Sequence, residues 1–402
     1  MPDDRLVLTG PRLADGRTVD VALSAGRIAA VGTPGSLAGP AAEGVDRVDL
    51  TGWLLLPAPA EPHAHHDTAL TAAGPPPEQT PTALRRRVTE AALAQLGHGA
   101  TAQRTHVRVG DAVGLTALEA VLEVRRSLQG YAELAAVAVP RVLTGLAGAE
   151  NRAVLRDAAK MGAGALGGAP DLDPDPAGYL DIVLGLADEH GCAIDLHTEA
   201  DDPARLARLA SAAGACRFGV AIGPCAGLSL LPHDVAAQAA DRLAAAGVTV
   251  VCLPQGPCGL SGGGGGGSGG TPARLLAAAG VPVAAGGGAL RDVANPVGRG
   301  DPLEAAYQLA SHGALRPAGA YAAVSGRARA ALGLPDVRIE AGFPAELLAV
   351  RGETVAGALS LAYSRVVIHR GRVVSRTSAV REYSGTPGDA GGGHGLPRQS
   401  TG

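Results

Sequence analysis

Short apolar runs separated by turn residues open the chain: Leu6-Val7-Leu8, then Val19-Asp20-Val21-Ala22-Leu23, then Arg27-Ile28-Ala29-Ala30-Val31-Gly32. This spacing predicts short antiparallel strands. A similar set returns near the end, at 345–350 and 365–374. The likeness of the two sets predicts one small β-sandwich domain assembled from residues 1–56 and 336–376. Between them, over 57–335, the rhythm changes. Amphipathic helical segments such as 81–96 and 234–246 alternate with apolar runs at 134–139, 193–196, 248–253 and 281–285. Strand and helix in alternation predict parallel βα units, and the length suits an α/β fold of the (β/α)8 TIM-like barrel type. An open doubly wound sheet shares the same rhythm and stays open as the competing topology. Two segments are low in complexity: 261–270 is nearly all glycine, a flexible loop, and residues 377–402 predict a disordered tail.

Composition narrows the function. The 402 residues are 46% hydrophobic and 18% charged but only 2% aromatic, with 59 glycines, so the core is built from Ala, Val and Leu. Net charge is −4, with acidic and basic residues mixed along the chain, which leaves no basic stripe for nucleic acid. Lys160 is the only lysine, so Schiff-base and carboxylated-lysine chemistry are excluded unless Lys160 itself performs them. The five cysteines have no CxxC pairing and read as small buried residues in a reducing compartment. Residues 1–5 lack a secretory pattern and no apolar run reaches membrane-spanning length. The expectation is a cytoplasmic protein with a small-molecule substrate, no nucleic-acid or membrane partner, and homo-oligomer formation left open.

The chemistry is concentrated in Leu54-Leu55-Leu56-Pro57-Ala58-Pro59-Ala60-Glu61-Pro62-His63-Ala64-His65-His66-Asp67. The apolar run is expected to be the first barrel strand. His63 and His65, one residue apart at its end, would point to the same side of an extended chain and could share one metal ion. The carboxyl ends of barrel strands are also where active sites sit. A second apolar strand, Ala193-Ile194-Asp195-Leu196, ends in His197 and is followed by Glu199. His197 is a third candidate nitrogen ligand, suited to zinc or iron, and Glu199 a carboxylate able to move protons.

These phrases, with Arg104-Thr105-His106-Val107 and the β-strands at both termini, resemble the amidohydrolase superfamily, in particular its cytosine deaminase-like group. The resemblance covers residues 5 to 375. It implies one divalent metal on His63, His65, His197 and a strand-eight aspartate, with Glu199 as catalytic proton shuttle and His106 and Arg141 as substrate-binding residues. It further implies hydrolysis or deamination at a non-peptide C–N bond of a small cyclic amidine or amide, through water activated by the metal. Several positions depart from the family. Gly288 stands in place of the aspartate, and Pro224 or a neighbour in place of a strand-six histidine. Arg141 replaces a pyrimidine-binding glutamine, and Glu199 lies two rather than three residues after the histidine. The glycine run replaces a covering loop. Asp292, Asp67 and His66 are the nearest substitutes for the missing ligand. These losses keep a second reading open, a catalytically inactive barrel that binds a ligand or partner.

Overall fold

The computed structural model describes residues 5–37, 45–73, 77–256, 258, 270–361 and 364–380. The glycine run at 261–269 and the tail from residue 381 lie outside these residues.

Two four-stranded sheets come from the termini. The first runs β3-β2-β1-β4, with β1 (Leu6–Thr9), β2 (Asp20–Ser24), β3 (Arg27–Gly32) and β4 (Asp46–Asp49); β1 and β4 are parallel and the other pairings antiparallel. The second joins β5 (Trp53–Pro57) to three strands from the other end of the chain, described below.

The central sheet has eight strands in sequence order: β6 (Ala60–Ala64), β7 (Ala102–Val109), β8 (Glu133–Pro140), β9 (Ala165–Gly168), β10 (Ala193–Thr198), β11 (Val220–Pro224), β12 (Thr249–Cys252) and β13 (Val283–Ala285). Every neighbouring pair is parallel. A parallel bridge between Ala64 and Gly288 brings the last strand's end to the first and rolls the sheet into a barrel. This settles the topology against the open sheet.

Helices fill the crossovers: α1 (Pro81–Gly97), α2 (Thr116–Ser127), α3 (Ala149–Met161), α4 (Pro176–His190), α5 (Pro203–Ala213), α6 (His233–Ala245) and α7 (Ala273–Ala278), then α8 (Pro302–Ser311), α9 (Pro317–Val324) and α10 (Gly326–Ala331). Four of them start on a capping residue followed by proline, at Thr80, Asp175, Asp202 and Asp301. Each cap side chain accepts a first-turn N–H and is worth about 1 kcal/mol, while the proline gives up only an N–H the helix could not use.

The chain returns through β14 (Leu347–Arg351), α11 (Val355–Leu361), β15 (Arg365–His369) and β16 (Arg372–Thr377), which complete the second terminal sheet in the order β16-β15-β14-β5. Its strands show a two-residue period. Leu54, Leu56, Leu348, Val350 and Val367 join the barrel-side core, whereas Leu55, Leu347, Ala349, Val366 and Ile368 pack with Leu6, Leu8, Val21 and Leu23 of the first sheet. The second sheet is therefore a middle layer, buried on both faces.

One expectation is corrected. The run Leu54–Leu56 is not the first barrel strand; it lies in β5 and pairs antiparallel with β14. Pro57 and Pro59 end that ladder, because proline cannot donate to it, and the chain enters the barrel only at Ala60. The first barrel strand is the short phrase Ala60-Glu61-Pro62-His63-Ala64. Its own register with β7 jumps between Glu61 and Ala64, around Pro62.

Candidate metal centre

The barrel interior is layered. At its amino-terminal end Ala60, Ala102, Ala221, Val251 and Ala284 pack with Ala328 of α10. Small side chains suffice here because five strands and a helix converge. Along β7 the two-residue period puts Arg104 and His106 on the same face as Ala102, and along β10 it puts Asp195 and His197 on the same face as Ala193. The next layer is accordingly an ion pair, Arg104 Nη1 donating to Asp195 Oδ2 at 2.9 Å, with both residues buried.

Above that pair four imidazoles converge: His63 from β6, His65 just beyond it, His106 from β7 and His197 from β10. One nitrogen from each lies within 4.8 Å of the others, and all four residues are buried. His63 is central, with ring centroids 4.1 Å from His106 and 4.4 Å from His197; His106 and His197 are 4.5 Å apart. His65 sits slightly further out, 5.3–5.4 Å from the other three.

Burial, followed by the neighbouring imidazoles, holds His63, His65 and His197 well below the ordinary histidine range. At neutral pH these rings are uncharged and each carries a lone pair. Both nitrogens of His63, His106 and His197, and Nε2 of His65, are buried without a hydrogen-bond partner. Each neutral ring offers one nitrogen as an acceptor, and such a cluster of unpartnered imidazole nitrogens could hold a divalent transition metal.

Two buried carboxyls flank the cluster. Asp195 Oδ1 lies 3.3 Å from His106 Nε2. Burial alone would raise this carboxyl, but His106 and Arg104 outweigh it and hold the group below the usual carboxylate range. Glu61 uses both oxygens on backbone: Oε1 accepts from the His63 N–H at 2.9 Å and Oε2 from the Gly287 N–H at 2.7 Å. Burial pushes it up to about 8 against those two hydrogen bonds.

The structure brings together His63, His65 and His197, and adds His106, expected to meet substrate, to the same cluster. Glu199 is half-buried on the loop after β10, where its N–H donates to Asp171 Oδ2, and it is not a member of the cluster. Arg141 is exposed, one residue beyond β8. Gly288 adopts a left-handed conformation beside Leu253, and Pro224 ends β11. None of the substitutes for the strand-eight aspartate reaches the centre. Asp292 accepts from Thr68 Oγ1 and from the Ala294 and Asn295 N–H groups, His66 Nε2 pairs with Gln95 Oε1, and Asp67 also lies outside the cluster. The sequence reading missed Glu61, Arg104 and Asp195 as parts of the site. The available signal was a charged residue inside an apolar strand, as with Asp195 between Ile194 and Leu196.

In an eight-stranded parallel barrel the active site sits at the carboxyl ends of the strands, where the four histidines converge. No family model matches the chain. A pterin deaminase from Rhizobium rhizogenes is 30% identical over 312 residues, which span 73% of this chain and 70% of that protein. An N-isopropylammelide isopropyl amidohydrolase from a Pseudomonas species is 28% identical over 185 residues, 38% of this chain and 43% of its own length. Among solved structures, 5-methylcytosine deaminase from Klebsiella pneumoniae superposes with a TM-score of 0.81 at 23% identity, covering 94% of this chain and 100% of that one. The N-isopropylammelide isopropylaminohydrolase from Burkholderia multivorans does so with a TM-score of 0.79 at 26% identity, covering 93% and 98%. The chain belongs to the amidohydrolase superfamily. Among the described residues, no helix is long and apolar enough to cross a membrane.

Proposed function

We propose that this protein is a metal-dependent hydrolase of a non-peptide carbon–nitrogen bond in a small cyclic amidine or amide, with a deaminase of amino-substituted heterocycles as the leading case. The observation that carries this reading is the convergence of His63, His65, His106 and His197, all buried and with unpartnered ring nitrogens, at the carboxyl ends of the barrel strands. The names of the relatives, a pterin deaminase and an ammelide amidohydrolase, support the hydrolase over an inactive binding barrel.

His63, His65 and His197 would hold the ion, zinc or iron by their donor chemistry, with His106 on the same point. Such an ion, when bound, supplies Lewis acidity and a water nucleophile at neutral pH. In the deamination, the water oxygen bonds to the ring carbon and the C–N bond breaks, so that nitrogen leaves as ammonia once it has gained a proton. Glu199, on the loop that follows His197, would carry that proton. Arg141, at the start of the loop after β8, supplies a guanidinium for an anionic ring substituent.

The test is ammonia or amine release by the zinc- or iron-loaded protein against a panel of pterins, cytosines and amino-triazines. Release from at least one compound, lost with His63→Ala, is the expected result. No release from any member, with metal bound, would overturn the reading.

A further inference from the structure

We propose that the metal centre of this chain is an all-imidazole site in which His106 is the fourth protein ligand and Asp195, anchored by Arg104, is the positioning residue that sets its ring. The inference rests on the hydrolase reading above and names the ligand set of the same site.

Three observations carry it. First, no carboxylate is present where the strand-eight ligand would stand. Gly288 occupies that position, and the cluster of potential ligands among the described residues contains four histidines and no acid. Second, His106 is placed with the ligands and not with the mouth of the barrel. Its ring is nearer to His63 and His197, at 4.1 and 4.5 Å between centroids, than His65 is to either. It is 1% exposed, which leaves little surface for a substrate to touch. Third, its two nitrogens have different surroundings. Neither makes a hydrogen bond, but Nε2 lies within ion-pair distance of a carboxylate, 3.3 Å from Asp195 Oδ1, while Nδ1 has no such neighbour. A carboxylate on one ring nitrogen fixes the tautomer and makes the other nitrogen the better donor, the arrangement in which metal-bound histidines are usually held.

Arg104 completes the device. Its hydrogen bond to Asp195 Oδ2 keeps Oδ1 free of other hydrogen bonds and 3.3 Å from His106 Nε2, and the carboxylate cannot rotate away without breaking a buried ion pair. Arg104 and His106 sit two residues apart on β7 and Asp195 and His197 two apart on β10. The strand period therefore stacks each ligand directly above the group that supports the pair. His66, the other histidine of the first-strand phrase, is excluded because its Nε2 is spent on Gln95.

The experiment is a Co(II) titration of the metal-free full-length chain followed by visible absorption, which reports ligand number and type as well as affinity. The wild type is expected to bind one equivalent. His106→Ala should weaken binding at least tenfold and change the absorption bands. Asp195→Asn should weaken it about 10–100-fold while keeping the bands, because the ligand set is intact. Circular dichroism checks folding, and if His106→Ala does not fold, His106→Asn and Asp195→Asn carry the test. His106 variants that bind Co(II) with wild-type affinity and bands would overturn the proposal and leave the hydrolase reading standing. A wild type that binds no Co(II) would overturn it as well. Four-imidazole binding without any C–N cleavage on the substrate panel would overturn the hydrolase reading alone.

Discussion

Glu61 Oε2 accepts a hydrogen bond from the Gly287 N–H at 2.7 Å across the seam where the last barrel strand meets the first. Its other oxygen holds the His63 N–H, so one buried carboxyl ties a candidate metal ligand to barrel closure. The glycines opposite it are a steric requirement of that link. A Cβ at Gly286 would collide with Glu61 Oε1, and one at Gly287 would stand 2.9 Å from the Gly300 Cα. Gly286→Ala should therefore displace Glu61 and cost about 1–3 kcal/mol, the usual penalty of overpacking a core. Urea midpoints at constant m-value measure the cost, and the metal content of the purified variant should fall with it, because His63 loses its support. An unchanged midpoint and metal content would show that the seam does not constrain the site.

Glu199 offers a prediction that separates proton transfer from metal binding. It lies on the loop after β10 and outside the histidine cluster. Glu199→Gln should lower kcat by about 10²–10⁴, the range for losing a general acid–base group, while zinc stoichiometry stays at the wild-type value. Loss of metal in this variant would instead place Glu199 among the ligands.

Much of the fold is legible in the sequence, and particular residues show why. The terminal sheets announce themselves through short runs between turn residues, and the barrel through its alternation of strands and helices. Threonine or aspartate followed by proline marks the start of α1, α4, α5 and α8. The chain's own apolar pattern misled at Leu54–Leu56, because a strand buried on both faces reads the same in a barrel as in the middle layer of a sandwich. Only the Pro57-Ala58-Pro59 interruption separates the two. At the site, the nearness of His63, His65 and His197 to one another follows from their positions at strand ends. The place of His106 does not, because it depends on how far β7 lies from β10 across a closed barrel, a distance that local spacing does not encode. The Arg104–Asp195 pair joins residues 91 positions apart and became visible only when both inward faces were in place.

Asp301 predicts a pH dependence of stability independent of the metal. It caps α8 through the Leu303 N–H and accepts from both terminal nitrogens of the Arg365 guanidinium, at 2.6 and 2.9 Å, joining a barrel helix to β15. Burial acts to raise its carboxyl, but Arg365 outweighs burial and holds it below the ordinary aspartate range. A carboxyl depressed on folding adds stability that is fully present above its unfolded pKa, about 3.9, and lost as pH falls through the folded value. Urea midpoints of the wild type should therefore drop below about pH 4, in part through this residue. Asp301→Asn should be less stable by about 3–5 kcal/mol at pH 7, the cost of stranding one partner of a buried ion pair. It should also show a shallower loss toward acid. Parallel pH profiles for the two proteins would show that the pair does not set the slope.

The ligand chemistry also predicts which ions restore the protein after chelation. Hard ions such as Mg²⁺ and Mn²⁺ prefer carboxylate and carbonyl oxygen, whereas imidazole nitrogen favours zinc, copper, nickel and cobalt. A centre of four histidines with Gly288 in place of an acid offers no oxygen from a protein side chain in the cluster. Protein stripped by a chelator should therefore regain one equivalent from Zn²⁺ or Co²⁺ at micromolar concentration and none from Mg²⁺ at the same concentration, with Mn²⁺ bound at least tenfold more weakly than Zn²⁺. Equilibrium dialysis with elemental analysis gives the comparison directly. Reintroducing an acid should narrow the gap. Gly288→Asp places a carboxyl where the family carries its ligand, and aspartate tolerates the left-handed backbone at this position better than most residues. Its side chain would displace Leu253, whose methyl carbons stand 3.3–3.5 Å from the new Cβ, so a modest loss of stability should accompany any gain in Mn²⁺ affinity. Equal affinity for Mn²⁺ and Zn²⁺ in the wild type would mean that an oxygen ligand enters the centre when metal binds.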